Sequence, residues 1–124
     1  MAKSKTITNG LTKQTLRILD LAGFKVWRQN NAAVYDATKG IYRRGSATPG
    51  ISDIIGFHRK TGQFIAVEIK TGKDRLSDEQ RNFLSDVEKA GGVAFVVKTF
   101  DDVITVSELY NRPPLMKTVK KLEV

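Results

Sequence analysis

The sequence predicts one α/β unit, and three observations predict it. Apolar runs of strand length alternate with stretches whose apolar residues recur at helical spacing. A strand, helix, strand order over residues 64–98 requires a parallel crossover, and such crossovers are right-handed. The chain has 124 residues, a length that buries roughly two thirds of its extended surface, enough for one core and too little for two. A single domain over residues 1–124 is therefore expected.

Each element has a local reason. Thr8 or Asn9 is placed to cap a helix running to about Ala22, with Leu11, Thr15, Ile18, Leu19 and Ala22 on one stripe and Gly23 as its stop. Phe24 to Arg28 reads as a short strand. From Gln29 to Pro49 the pattern dissolves into Asn, Gly, Ser and Thr around the apolar Ala32 to Tyr35 and the basic Tyr42-Arg43-Arg44. A loop of that length in a small domain is either functional or disordered. Asp53 to Phe57 and Phe64 to Lys70 are apolar runs separated by the turn-like Arg59-Lys60-Thr61-Gly62, hence a hairpin. Ser77-Asp78-Glu79-Gln80 has the S-x-x-Q form of a capping box. It opens a helix whose buried stripe is Phe83, Leu84, Val87 and Ala90, and Gly91-Gly92 ends it. Val93 to Lys98 is a further buried strand. Asp101-Asp102 can cap a short helix to about Tyr110, stopped by Pro113-Pro114. The tail over residues 112–124 carries four bases and one acid, and its order is left open.

Composition excludes several chemistries. Without cysteine the chain holds no disulfide, thiolate zinc site or thiol nucleophile, which fits a reducing cytoplasm. A single histidine, His58, excludes a histidine-cluster zinc site, and its place in the turn argues against a catalytic role. Apolar runs are far shorter than the roughly 20 residues that cross a bilayer, so no membrane association is expected. The formal net charge is +8. It is unevenly spread: residues 1–50 carry +7, residues 51–100 carry +1, and residues 101–124 balance. Such a bias favours a polyanionic partner, because each base that neutralises a phosphate releases counterions. A merely solubilising surface has the same composition.

The chemistry concentrates in the hairpin. Along Phe64 to Lys70, alternation puts Ile65, Val67 and Ile69 on one face and Phe64, Ala66, Glu68 and Lys70 on the other. On the preceding strand Asp53, Ile55 and Phe57 share a face. An antiparallel turn centred between residues 60 and 61 sets Asp53 opposite Glu68. Two carboxylates and an ammonium then meet at one end of a half-buried sheet. Carboxylates held together repel unless a cation lies between them, and an oxygen-rich site suits Mg²⁺ or Mn²⁺. Lys70 is placed to orient or deprotonate a water and to offset phosphate charge. Spacing by itself more often describes a solvated Glu–Lys pair and a turn aspartate; the apolar strands around the acids, the preceding Pro49-Gly50 turn and the basic first half favour the metal site.

The stretch from Pro49-Gly50-Ile51-Ser52-Asp53 through Val67-Glu68-Ile69-Lys70 to Leu76-Ser77-Asp78-Glu79-Gln80 resembles the PD-(D/E)XK nuclease superfamily, in particular its VRR-NUC branch. The continuation Gly72 to Gln80 is its most specific part. The resemblance implies a restriction-endonuclease-like α-β-β-β-α-β core with a mixed sheet flanked by helices, in a form similar to small stand-alone, phage-encoded members acting in the host cytoplasm. It makes Asp53 and Glu68 metal ligands, with the backbone carbonyl of Ile69 as a third donor, Mg²⁺ or Mn²⁺ as the cofactor, and Lys70 as the catalytic lysine. Gln80 matches a glutamine that touches the site or the attacking water, and it is equally the partner of Ser77 in the capping box. Two departures stand out. Ser52 replaces the proline of the superfamily's name, at a position expected to shape the turn and bind nothing. The first-helix glutamate that often completes the metal site is missing, since no Glu precedes Glu68; Asn9 or Gln14 is the neutral substitute within reach.

The implied activity is metal-dependent hydrolysis of DNA phosphodiester bonds by an endonuclease. Similar small chains act as two-fold dimers on branched DNA such as Holliday junctions. Lys39, Tyr42, Arg43 and Arg44 are candidates for phosphate contacts, as are Lys73 and Arg75 after the active strand. Trp27 and Phe24, alternating with Lys25 and Arg28, are expected in the core rather than as a base-stacking platform. Two other readings remain open: a DNA-binding module that kept the fold without catalysis, and a general nuclease acting on duplex DNA or RNA.

Overall fold

A computed structural model describes residues 2–29, 34–43 and 48–111. The elements run α1 (Ala2–Leu21), β1 (Phe24–Arg28), β2 (Val34–Asp36), β3 (Ile41–Arg43), β4 (Ile54–His58), β5 (Phe64–Ile69), α2 (Asp78–Lys89), β6 (Val93–Val97) and α3 (Phe100–Asn111). Four strands form one mixed sheet in the order β1-β4-β5-β6, and β2 with β3 forms a separate two-stranded sheet. β1–β4 and β4–β5 are antiparallel, while β5–β6 is parallel. Leaving aside the small hairpin and α3, this is the expected α-β-β-β-α-β order, with helices flanking a mixed sheet.

Burial on both faces follows from the strand sequences. One face presents Phe24, Ile54, Ile65, Val67 and Ile69 to Leu11, Leu19 and Ala22 of α1 and its stop, and to Val103 and Val106 of α3. The other presents Ile55 and Ala66 to Leu84 and Val87 of α2. Each fully buried Ile or Leu contributes about 1.5–3 kcal/mol by leaving water. The hydroxyl of Thr15 lies in the first core, donating to the Leu11 carbonyl at 2.7 Å, so the polar atom is satisfied inside its own helix.

Some boundaries differ from the sequence reading. The first helix begins at Ala2, so Thr8 and Asn9 lie within it and cap nothing. Their cost inside a helix is a few tenths of a kcal/mol, too small to stop it. The segment after β1 is less irregular than expected. Tyr35 and Tyr42 pair across β2 and β3 with ring centroids 5.1 Å apart. The Asp36 side chain accepts the N–H groups of Thr38 and Lys39, at 3.0 and 3.3 Å, and so builds the turn. The box Ser77–Gln80 opens α2 as expected, but Ala90 is its exposed C-cap rather than part of the buried stripe. At α3 the capping residue is Thr99. Its hydroxyl accepts from the Asp102 N–H at 3.4 Å, while the Asp102 carboxylate accepts from the N–H groups of Thr99 and Lys98 at 3.1 and 2.9 Å. Trp27 is not core: α2 covers β5 and β6, which leaves this indole 42% exposed and edge-on to Phe57. Phe24 is fully buried, as expected.

Candidate active site

The hairpin register determines the site. Ile54 pairs with Val67 and Ile55 with Ala66, which is the register that sets Asp53 opposite Glu68. The main-chain ladder stops at Ile54–Val67, and there the Asp53 carboxylate replaces it by accepting the Ile69 N–H at 2.8 Å. From the other side the Asp53 carbonyl accepts the Gln29 N–H at 2.7 Å. Asp53 is thus clamped between two strands, with its charge held at their ends. In an extended strand the N–H and C=O of one residue leave by the same edge. The Ile69 carbonyl therefore emerges on the edge that carries Asp53.

Glu68 is 1% exposed. Its Oε1 accepts from the Gln80 side-chain amide at 3.0 Å. Its Oε2 is buried and makes no hydrogen bond of full geometry with the described residues, although the Asp53 carboxylate and the Ser52 hydroxyl both lie close enough to act on this carboxyl. A buried acceptor left without a donor is costly, on the order of 1–3 kcal/mol and more for a charged group. Burial pushes the Glu68 carboxyl up from its ordinary 4.5 to about 9. The neighbouring Asp53 carboxylate adds to that rise, whereas Lys70 and the Ser52 hydroxyl oppose it. Without a cation, Glu68 holds a proton at neutral pH.

Gln80 closes the capping box and also contacts Glu68. Its Oε1 accepts the Ser77 N–H at 2.9 Å and its main-chain N–H donates to the Ser77 hydroxyl at 3.1 Å, closing the box. Its Nε2 is left to hold Glu68. The helix start is seated by Gly50, which has φ +71°, and a Cβ there would lie 2.1 Å from the Glu79 carbonyl oxygen. Only glycine lets the chain before Asp53 approach this close.

The donor set is compatible with a hard divalent cation: two carboxylate side chains, one of them fully buried, and a main-chain carbonyl on the same edge. Among the described residues no third His, Cys, Asp or Glu joins them. Of the first-helix substitutes, Asn9 turns its Oδ1 to the Arg28 guanidinium, at 3.5 Å, and Gln14 is exposed.

The other predicted residues are distributed. Lys70 and Arg75 line one cavity beside the carboxylates, and Lys73 is exposed in the preceding turn. Lys39 is in the turn of the separate two-stranded sheet, and Tyr42 and Arg43 are on its second strand, outside the four-stranded sheet that positions Asp53 and Glu68. Arg44 and the tail 112–124 lie outside the described residues. His58 ends β4 at the opposite end from Asp53, edge-on to Phe24 with its Nδ1 accepting the Lys60 N–H at 3.2 Å, a structural placement. Ser52, expected only to shape the turn and bind nothing, acts on the site instead. It is fully buried and its hydroxyl favours the charged form of Glu68. The resemblance marked its position, but a hydroxyl in place of proline gave no sign that it would turn toward Glu68. Arg81 and Lys98 were missed by sequence reasoning; they line the cavity with Lys70, although the parallel crossover was a clue that β6 ends beside it.

Comparison with known proteins agrees with this geometry. The family model described as the VRR-NUC domain matches residues 24–101, from the first residue of β1 into the first turn of α3. No curated protein matches the chain. The family match spans well over half the chain and encloses Asp53, Glu68, Lys70 and Gln80, so the chain belongs to the VRR-NUC family and is a nuclease-type, DNA-acting domain.

Proposed function

We propose that this chain is an endonuclease that hydrolyses DNA phosphodiester bonds with Mg²⁺ or Mn²⁺ held by Asp53, Glu68 and the Ile69 carbonyl. The observation that carries the reading is Glu68 itself: a fully buried carboxyl held against a second carboxylate, Asp53, whose proximity raises its pKa. A divalent cation, when bound, polarises a phosphoryl oxygen and lowers the pKa of a coordinated water. The chain's own residues do the rest. Gln80 fixes the Glu68 carboxyl through Oε1 and leaves Oε2 uncommitted. Ile69 holds Asp53 in the orientation that shares its edge. Lys70 brings an ammonium that orients the attacking water and offsets phosphate charge as it accumulates in the transition state. The basic first half of the chain supplies phosphate contacts that position the backbone and carry no sequence information, with Lys39, Tyr42, Arg43 and Arg44 as candidates.

The substrate we assign is branched DNA such as a Holliday junction, cut by a two-fold dimer. Two symmetric nicks need two sites related by a dyad, and one chain offers one. The experiment is cleavage of labelled junction, flap, duplex and RNA by wild type, Glu68→Ala and Lys70→Ala in Mg²⁺, Mn²⁺ or EDTA. Wild type is expected to cut the junction in either metal and to be silent in EDTA, with both variants inactive. DNA binding without cleavage in either metal identifies a non-catalytic DNA-binding module. Equal cutting of duplex or RNA identifies a general nuclease, and undiminished cutting by Glu68→Ala removes the site assignment.

A further inference from the structure

Beside the carboxylate site, on the same face of the sheet, lies a cavity of about 390 Å³. Its wall carries four cations drawn from four places: Lys70 at the end of β5, Arg75 in the following loop, Arg81 in the first turns of α2, and Lys98 at the end of β6. Parallel pairing of Glu68 with Val96 puts Lys70 and Lys98 side by side one strand apart, about 4.8 Å in a sheet. Asp74 is the one acid on the wall. Arg81 also pairs with Asp78 at 3.0 Å, an exposed i,i+3 contact that contributes little and yields to a stronger anion. Leu76 and Val96 give the cavity an apolar surface.

Asp74 on the wall offsets only part of the charge of four cations, so the cavity keeps a net positive field that favours an anionic ligand. The volume suits one phosphate with part of its sugar, not a duplex. Lys70 lines the cavity and adjoins Glu68, so the cavity begins where the carboxylate site ends. Successive DNA charges on one strand lie about 3.4 Å apart along the helix axis, which brings a neighbouring phosphate within reach when the scissile one sits at the carboxylates. We infer that this cavity seats a non-scissile phosphate of the substrate strand, next to the bond that is cut. Lys98 and Arg81 then fix the register of the strand, while Lys70 belongs to both sites. The assignment rests on the nuclease reading for its orientation, but the phosphate pocket has readouts of its own.

The test titrates ¹⁵N-labelled protein in EDTA with a 5′-phosphorylated thymidine dinucleotide, and with an unphosphorylated methylphosphonate dinucleotide that carries no charge. Amide shifts are expected at Lys70, Arg75, Arg81 and Lys98 with the charged ligand, absent with the neutral one, and lost in Arg81→Gln/Lys98→Gln. Shifts confined to another surface, or unchanged in the double variant, overturn the proposal. In a second arm the log–log salt slope of DNA binding is expected to shrink by about 1 in the double variant, the contribution of roughly one phosphate contact. An unchanged slope overturns it as well. Lys98→Gln alone, at an exposed position, gives the same direction with a smaller shift. Pocket shifts in a protein that cuts no DNA sink the nuclease reading and leave the pocket, whereas cleavage without pocket shifts sinks the pocket alone.

Discussion

Asp53 has two separable duties, because its carboxylate both carries charge and ends the β4–β5 ladder on the Ile69 N–H. Asp53→Asn keeps an acceptor oxygen for that N–H, whereas Asp53→Ala leaves it without one at a cost of about 1–3 kcal/mol. Both variants are expected to lose cleavage, and only the alanine to lose that much stability in urea unfolding. Glu68 gives a pH signature. Its carboxyl is near 4.5 when unfolded and about 9 when folded, so between those values the folded protein binds more protons. Its contribution is therefore complete below about pH 4.5 and is lost as pH rises toward 9. In EDTA the melting temperature is expected to fall through that window, and Glu68→Gln to flatten the fall. Mg²⁺ is expected to restore stability at the alkaline end for wild type but not for Glu68→Gln. At this scale Asp53, Glu68 and Lys70 were legible because strand alternation and a hairpin register are local and periodic. Ser52 was legible only as a turn residue that binds nothing, because the effect of its hydroxyl on Glu68 depends on burial that no local pattern carries.

Helix α2 is anchored to the site at its first turn. Ser77→Ala removes the cap, a loss of about 1 kcal/mol, yet leaves the Gln80 amide on Glu68. Gln80→Ala removes half of the box and the Glu68 contact together. Cleavage by Gln80→Ala is expected to fall well below that of Ser77→Ala at matched stability, measured by unfolding and initial rates in parallel. Gly50→Ala places a methyl against the Glu79 carbonyl at 2.1 Å in a left-handed backbone. Overpacking of that kind costs about 1–3 kcal/mol, and it should displace the helix start, so activity is expected to drop more than stability. Capping boxes were visible in sequence as S-x-x-Q at α2, while at α3 the aspartates drew attention from Thr99, which holds the cap position. The β2–β3 hairpin escaped because three-residue strands paired by a Tyr–Tyr contact are too short to show alternation.

Across the whole molecule the charge of +8 has two locations with different meaning. One is the basic first half; the other is the cationic cavity assembled from β5, α2 and β6. The second was hidden from composition, because residues 51–100 are nearly neutral and the cations meet only once the parallel strand is in place. A dimer is expected by sedimentation at micromolar concentration, alone and on junction DNA, and a monomer bound to DNA would remove the paired-nick assignment. The proposed hydrolytic residues all fall between Asp53 and Gln80, on a hairpin and the first turn of the next helix. Lengthening a surface loop is cheap, about 0.6 kcal/mol per doubling. The β2–β3 hairpin lies outside that stretch, so it is free to lengthen or change composition over evolution while Gln29, Gly50, Ser52 and the bond-breaking residues keep their places. Substrate choice and hydrolysis can then diverge separately, and grafting a foreign hairpin in place of β2–β3 is a practical way to redirect the one without rebuilding the other.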